Sequence, residues 1–309
     1  MGCNDGVLLK PLAELGVKAM GVDPATNVVR SITSDKILVI NDFFSEQLAT
    51  KIESEHGRFD IFVSSYSFAH IDNMIDIMKG IKCLLKADGV FIFEIYYLGT
   101  LMDEFQYDMI YQEHMSYYSL KALASFMKKF DMEIFDVQYI PGIRSGSVRF
   151  YSRNIGKRIE MISQSVLDMV KFEEEKGFEK IETYIKYAEQ VRLTKKNILE
   201  LLERLKKEGK EVIGYGASGR GTIIMNFCGI DKEYIEFVVD DAPAKHGFLT
   251  PGTHVPIKPW SFIDQENPPD YAILFAWAFT EEVLKKRQGF IDKGGKFIIP
   301  LPEVKVYPS

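Results

Sequence analysis

Strand-length apolar runs alternate with helical stretches in the first and last parts of the chain, a charge-rich helical stretch lies between them, and each outer part carries its own glycine-rich turn. Together these observations predict an α/β protein: two Rossmann-like α/β domains joined by a helical segment. Composition places the boundaries at 1–155, 156–210 and 211–309.

The chain opens MGCNDGVLLKPLAEL, a G-x-x-x-G turn running straight into an amphipathic helix. Helix-start N–H groups and missing side chains let an anionic or polar ligand approach such a backbone. VKAMGVD, DIFVSSY and VFIFEIYY then read as parallel strands, with IDIMKGIKCLLKADG as a crossover helix. Their polar C-terminal ends line the crevice where open α/β sheets bind ligands. In the middle segment Phe178, Ile181, Ile185, Ala188, Val191, Ile198, Leu201, Leu202 and Leu205 recur at threes and fours, which gives one apolar stripe on a solvated helix. Gly177 separates that helix from an earlier one, and both a packing spacer and a dimer seam fit the pattern. From Val212 onward EVIGYGASGRGT, EFVVDD, DYAILFAW and GGKFIIPLP predict the second α/β unit.

Composition narrows the function. The 309 residues are 46% hydrophobic with a net charge of −6, as in an ordinary soluble protein. Cys3, Cys83 and Cys228 are far apart and never form a C-x-x-C pair, so the sequence encodes neither a disulfide framework nor a structural zinc site, and a reducing cytoplasm is expected. A mildly acidic chain without a basic cluster argues against nucleic acid but leaves room for a nucleotide-sized ligand. No apolar run reaches the roughly 18 residues of a membrane span, and no signal-peptide pattern occurs. The oligomeric state stays open.

Two ligand turns stand out. In the first, Gly2, Asn4, Asp5 and Gly6 face a nucleoside, while Asp23, closing the strand VKAMGVD, can accept from both ribose hydroxyls. Asp42 and Phe43 offer a carboxylate beside aromatic surface, as an adenine ring requires. This arrangement suits dinucleotides and S-adenosylmethionine alike. In the second, Gly214, Gly216 and Gly219 complete G-x-G-x-x-G ahead of a helix, and Asp240 ends the next strand, which is the pattern of a dinucleotide site.

The stretch Tyr111, Gln112, Glu113, His114 supplies a phenol, a carboxylate and an imidazole after a strand end, the types needed to remove a proton beside a ketone. GIRSGSVRFY places Arg144, Ser147 and Arg149 where they can donate to a diphosphate, or where they line a strand. His56 sits at a charged helix end and reads as solvated. HGFLTPGTHVPI, with His246 and His254, reads as a loop.

GCNDG with GVDP, FDIFVSSYSFAHI, IYQEHMSYYSL and PGTHVPI together resemble the S-adenosylmethionine-dependent nucleotide-sugar C-methyltransferases, over nearly the whole chain. The resemblance implies S-adenosylmethionine as cofactor and a nucleotide-linked 4-ketodeoxysugar as substrate, methylated at C3 through an enolate. It implies His114 as the base, Tyr111 and Glu113 as residues shaping the site, and His70 close to the ketosugar. Arg144, Ser147 and Arg149 fall in the family's glycine, serine and arginine segment, with Ser145 replacing its second glycine. The C-terminal turn, through Gly216 and Ser218, would contact the sugar nucleotide and not a nicotinamide. The resemblance further implies that the family's zinc-binding domain, the first strand of the methyltransferase sheet and the acidic residue before the turn are missing from this sequence. Losing a central strand leaves backbone groups unpaired, at about 1–3 kcal/mol for each buried one. Two alternatives therefore remain: an NAD-dependent oxidoreductase using the C-terminal turn, and a non-catalytic sugar-nucleotide-binding remnant.

Overall fold

A computed structural model of the chain describes residues 1–140, 146–156, 161–263 and 266–309. They form two compact units, Met1–Gly99 with Gln112–Glu179, and Thr100–Tyr111 with Lys180–Ser309.

The first unit runs α1 (Leu9–Glu14), β1 (Ala19–Val22), α2 (Thr26–Val29), β2 (Ile37–Ile40), α3 (Glu46–His56), β3 (Phe59–Ser65), α4 (Met74–Leu84) and β4 (Leu85–Tyr96). After α5 (Leu98–Asp103) it resumes with α6 (Leu120–Lys128), β5 (Met132–Ile140), β6 (Ser147–Asn154) and α7 (Gln164–Lys176). Side-chain caps start its main helices: Ser45 accepts from Leu48 N, Asn73 from Asp76 N and Ser119 from Ala122 N. Each such cap contributes about 1 kcal/mol. The amphipathic α4 buries Ile77, Met78, Ile81 and Leu84.

The strands form a parallel β1–β2 pair and a four-stranded sheet in the order β3-β4-β6-β5. Hydrogen bonds from Met1 to Val63 O of β3 (2.9 Å) and from Gly2 N to Val22 O of β1 (2.9 Å) link the two at the head of the chain. The β3–β4 pairing is parallel, as the pattern predicts, but β6 runs antiparallel to both β4 and β5. Only residues 141–146 separate β5 from β6, too few for the crossover that parallel strands need. The helix expected over IDIMKGIKCLLKADG stops at Leu84; Phe59 then pairs with Leu85, and the regular ladder begins where Ile61 meets Val90. Phe68, Phe91, Phe93 and Phe150 stack in the core, with Phe93 centred 4.9 Å from Phe68 and 5.1 Å from Phe150.

The second unit comprises α8 (Ile181–Lys207), β7 (Val212–Tyr215), α9 (Gly219–Cys228), β8 (Val238–Val239), β9 (Ile257–Lys258), β10 (Tyr271–Leu274), α10 (Thr280–Lys286), α11 (Gln288–Ile291), β11 (Lys296–Ile299) and β12 (Lys305–Tyr307). Its sheet has the order β12-β11-β10-β7-β8-β9, parallel throughout except for β12. Gly177, at φ +68°, closes α7 in the left-handed conformation that glycine adopts without strain. The apolar stripe of the long helix is divided: Ile198, Leu202 and Leu205 are buried, whereas Ile181 and Ile185 remain 65% and 50% exposed. Among the described residues, no helix is long and apolar enough to cross a membrane.

Candidate active site

The N-terminal turn is built on glycine conformations. Gly2 and Gly6 have φ of +70° and +77°, and a Cβ on Gly2 would fall 2.4 Å from Ser67 Oγ. Asp23, only 8% exposed, braces the turn: one carboxylate oxygen accepts from Asn4 N and the other from Ala25 N, both at 2.9 Å. Each oxygen keeps a second lone pair for a further donor. Beyond β2, Asn41 donates to Asp23 O (2.9 Å), Asp42 is exposed, and Phe43 presents a ring that is 75% exposed. A backbone turn bounded by glycines, a buried carboxylate with remaining acceptor capacity and an open aromatic face fit a nucleoside. Asn4 and Asp5 stand exposed on the same turn. Beside them the Met1 α-amine is buried, and burial pushes its pKa down to about 6 against the upward pull of Cys3 and Asp23.

Next to this turn, two loops bring imidazoles together. His70 Nδ1 lies 2.8 Å from Glu113 O, and Met115 N donates to Ala69 O at 2.7 Å. A carbonyl only accepts, so Nδ1 of His70 carries the proton and, in the neutral ring, Nε2 is an acceptor. The His70 and His114 rings are centred 5.0 Å apart; His114 is 6% exposed and also meets Tyr96 at 5.2 Å and Tyr117 at 6.1 Å. Glu113 contributes its backbone carbonyl here while its side chain is exposed. Tyr111 belongs to the segment of the second unit.

The ends of β3, β4 and β6 add groups that the sequence reading missed. Glu94 pairs across the ladder with Arg149 and accepts from its Nε at 2.6 Å; Arg149 also reaches Gln138 at 3.3 Å. Arg149 is thus engaged by a carboxylate, and a phosphate would compete with Glu94 for it. Ser147, fully buried, accepts from Tyr66 OH at 2.8 Å. Arg144 lies outside the described residues. Tyr66 lies inside FDIFVSSYSFAHI and Glu94 and Tyr96 inside VFIFEIYY, but neither segment marks these residues individually.

The second glycine turn repeats the chemistry of the first. Gly216 N donates to Val239 O at 2.8 Å, as Gly2 N does to Val22 O, and Ala217 N and Ala242 N donate to the two oxygens of Asp240 at 2.8 Å each. Here, however, Lys245 Nζ also sits 2.9 Å from Asp240, so the carboxylate that a dinucleotide ribose needs already has a cation. Gly216 is required by packing, since a Cβ there would lie 2.6 Å from Ala276 Cβ. Ser218 caps α9, accepting from Gly221 N at 3.0 Å. His246 Nε2 lies 2.8 Å from Asp240 O, and His254 occupies a left-handed loop position at φ +53°. Arg220, inside this motif, forms a two-point ion pair with the buried Asp108 (2.7 and 2.8 Å), which also accepts from Trp277 Nε1 at 2.7 Å. Among the described residues, no group of three or more His, Cys, Asp or Glu is arranged to hold a metal.

Comparison with known proteins places the chain in a family. Residues 142–302 match the family model of the C-methyltransferase C-terminal domain, and residues 1–137 match that of a methyltransferase domain. The C-methyltransferase NovU of Streptomyces niveus is 30% identical over 306 residues, which span 99% of this chain and 72% of NovU. A ubiquinone biosynthesis O-methyltransferase of Actinobacillus pleuropneumoniae is 29% identical over 103 residues, 30% of this chain and 42% of that protein. Among solved structures, an S-adenosylmethionine-dependent methyltransferase of Anabaena variabilis aligns with a TM-score of 0.39 at 15% identity, covering 50% of this chain and 74% of that one. The family models and NovU favour the methyltransferase reading over a nicotinamide oxidoreductase. The chain belongs to the C-methyltransferase family and is an enzyme that uses S-adenosylmethionine as methyl donor.

Proposed function

We propose that the enzyme methylates C3 of a nucleotide-linked 4-ketodeoxysugar, with His114 as the base that removes the C3 proton. The observation that carries this reading is the buried His114 ring packed against His70, on loops that adjoin the Gly2–Gly6 turn. S-adenosylmethionine, when bound, supplies an electrophilic methyl group; Gly2, Asn4, Asp5, Gly6, Asp23, Asp42 and Phe43 are the residues proposed to hold it.

Removing a proton beside a ketone at neutral pH calls for a base whose pKa lies near the operating pH, which an imidazole meets. As the C3–H bond breaks, its electron pair moves into the enolate and the proton stays on His114. His70, which donates from Nδ1, has Nε2 left to accept from a substrate hydroxyl. Glu113 fixes His70 through its carbonyl. Arg149, which Glu94 engages, would donate to the diphosphate, and Ser147 accepts from the Tyr66 hydroxyl. Gly216 and Ser218 are kept as contacts of the second unit's turn. Three cysteines outside any disulfide suit a reducing cytoplasm as the place of action.

The test is His114→Asn, assayed with a nucleotide-linked 4-ketodeoxysugar. Turnover should fall by about three orders of magnitude or more, with affinity for S-adenosylhomocysteine retained. Turnover at the wild-type rate would remove the assignment.

A further inference from the structure

We infer that Tyr66 is a positioning residue for the His114 imidazole and that its strained backbone is kept for this purpose; the inference rests on the reading of His114 as base. Tyr66 follows the last residue of β3 with φ of +55°, a left-handed conformation that a bulky side chain rarely adopts. Such strain persists only where the surroundings over-determine it, and it gathers at functional sites. Three contacts hold Tyr66 there. Its N–H donates to Glu94 O (2.8 Å), its hydroxyl donates to the buried Ser147 Oγ (2.8 Å), and its ring centre lies 5.0 Å from that of Tyr96.

Tyr96 and Ser147 are register partners across β4 and β6, so the Tyr66 side chain spans the ends of both strands. Tyr96 in turn meets His114, with ring centres 5.2 Å apart and planes inclined at 37°. His114 is therefore bounded on one side by His70, which the Glu113 carbonyl fixes, and on another by Tyr96, which Tyr66 fixes. A relaxed residue at position 66 would keep the backbone bond to Glu94 but lose the ring and the hydroxyl. A packing residue would lower stability without displacing the pH profile of turnover, whereas a positioning residue displaces it.

The experiment compares wild type, Tyr66→Asn and Tyr66→Phe as full chains. Asparagine tolerates left-handed backbone but gives up the ring contact with Tyr96 and the bond to Ser147, so Tyr66→Asn should lower Tm by a few degrees and leave S-adenosylhomocysteine affinity within about twofold. It should lower kcat about tenfold, with the acid limb of the pH profile displaced and the ring titration of His114, followed by NMR without substrate, displaced alike. Tyr66→Phe keeps the strain, loses the hydroxyl, and should lower kcat severalfold without raising Tm. Wild-type kcat in Tyr66→Asn would overturn the inference, as would a fall of Tm and kcat together with an unmoved pH profile. An unmoved His114 titration in Tyr66→Asn would refute this inference alone, whereas an active His114→Asn enzyme would refute the reading beneath it.

Discussion

His70 donates from Nδ1 to the backbone carbonyl of Glu113 over 2.8 Å, and the neighbouring Met115 N–H returns a bond to Ala69 O over 2.7 Å. The loop after β3 and the loop bearing His114 are therefore joined by bonds running in both directions. His70→Phe preserves an aromatic ring against His114 but deletes the donor and the free acceptor. It should lower turnover about tenfold or more while reducing stability by only about 1 kcal/mol. Steady-state kinetics beside chemical denaturation would show the two effects; equal turnover in the variant would contradict the role given to His70.

Asp23 holds the donor turn through Asn4 N and Ala25 N. In Asp23→Asn the amide NH2 would face one of these N–H groups, and the charge that strengthens both bonds is gone. Bonds to a charged acceptor contribute about 1.5–3 kcal/mol, so S-adenosylhomocysteine affinity should fall about 10- to 100-fold. Calorimetry measures this directly, and an unchanged Kd would mean that the turn does not form the donor site.

Asp108 is fully buried and shared by Arg220 and Trp277. Arg220→Met leaves that carboxylate without its cation, and removing one partner of a buried pair costs about 3–5 kcal/mol. Urea denaturation of the variant should show a loss of that order, with turnover falling as the second unit unfolds. A loss below about 1 kcal/mol would show that the pair is solvated.

Much of this was legible in the sequence because it is local. Strand-length runs, the two glycine turns and the carboxylates Asp23 and Asp240 follow from short-range pattern, and so does the choice of Glu113 and His114 by residue type, whereas His70 enters only through the family resemblance. What the pattern could not give is long-range pairing. Arg149 reads either as a phosphate ligand or as a strand residue, and only the β4–β6 register sets it opposite Glu94. Asp108 carries no signal in the sequence, and its ion pair with Arg220 and its bond from Trp277 join residues far apart along the chain. Ile181 and Ile185 continue a helical stripe that the packing abandons. The φ of Tyr66 has no signature at all, because neither a glycine nor an asparagine marks it.

The most direct measurement is exchange of the substrate's C3 hydrogen with deuterated solvent, followed by mass spectrometry in the absence of a competent methyl donor. The account predicts deuterium at C3 with wild-type enzyme and none above background with His114→Asn. Exchange at the wild-type rate in that variant would contradict the central claim.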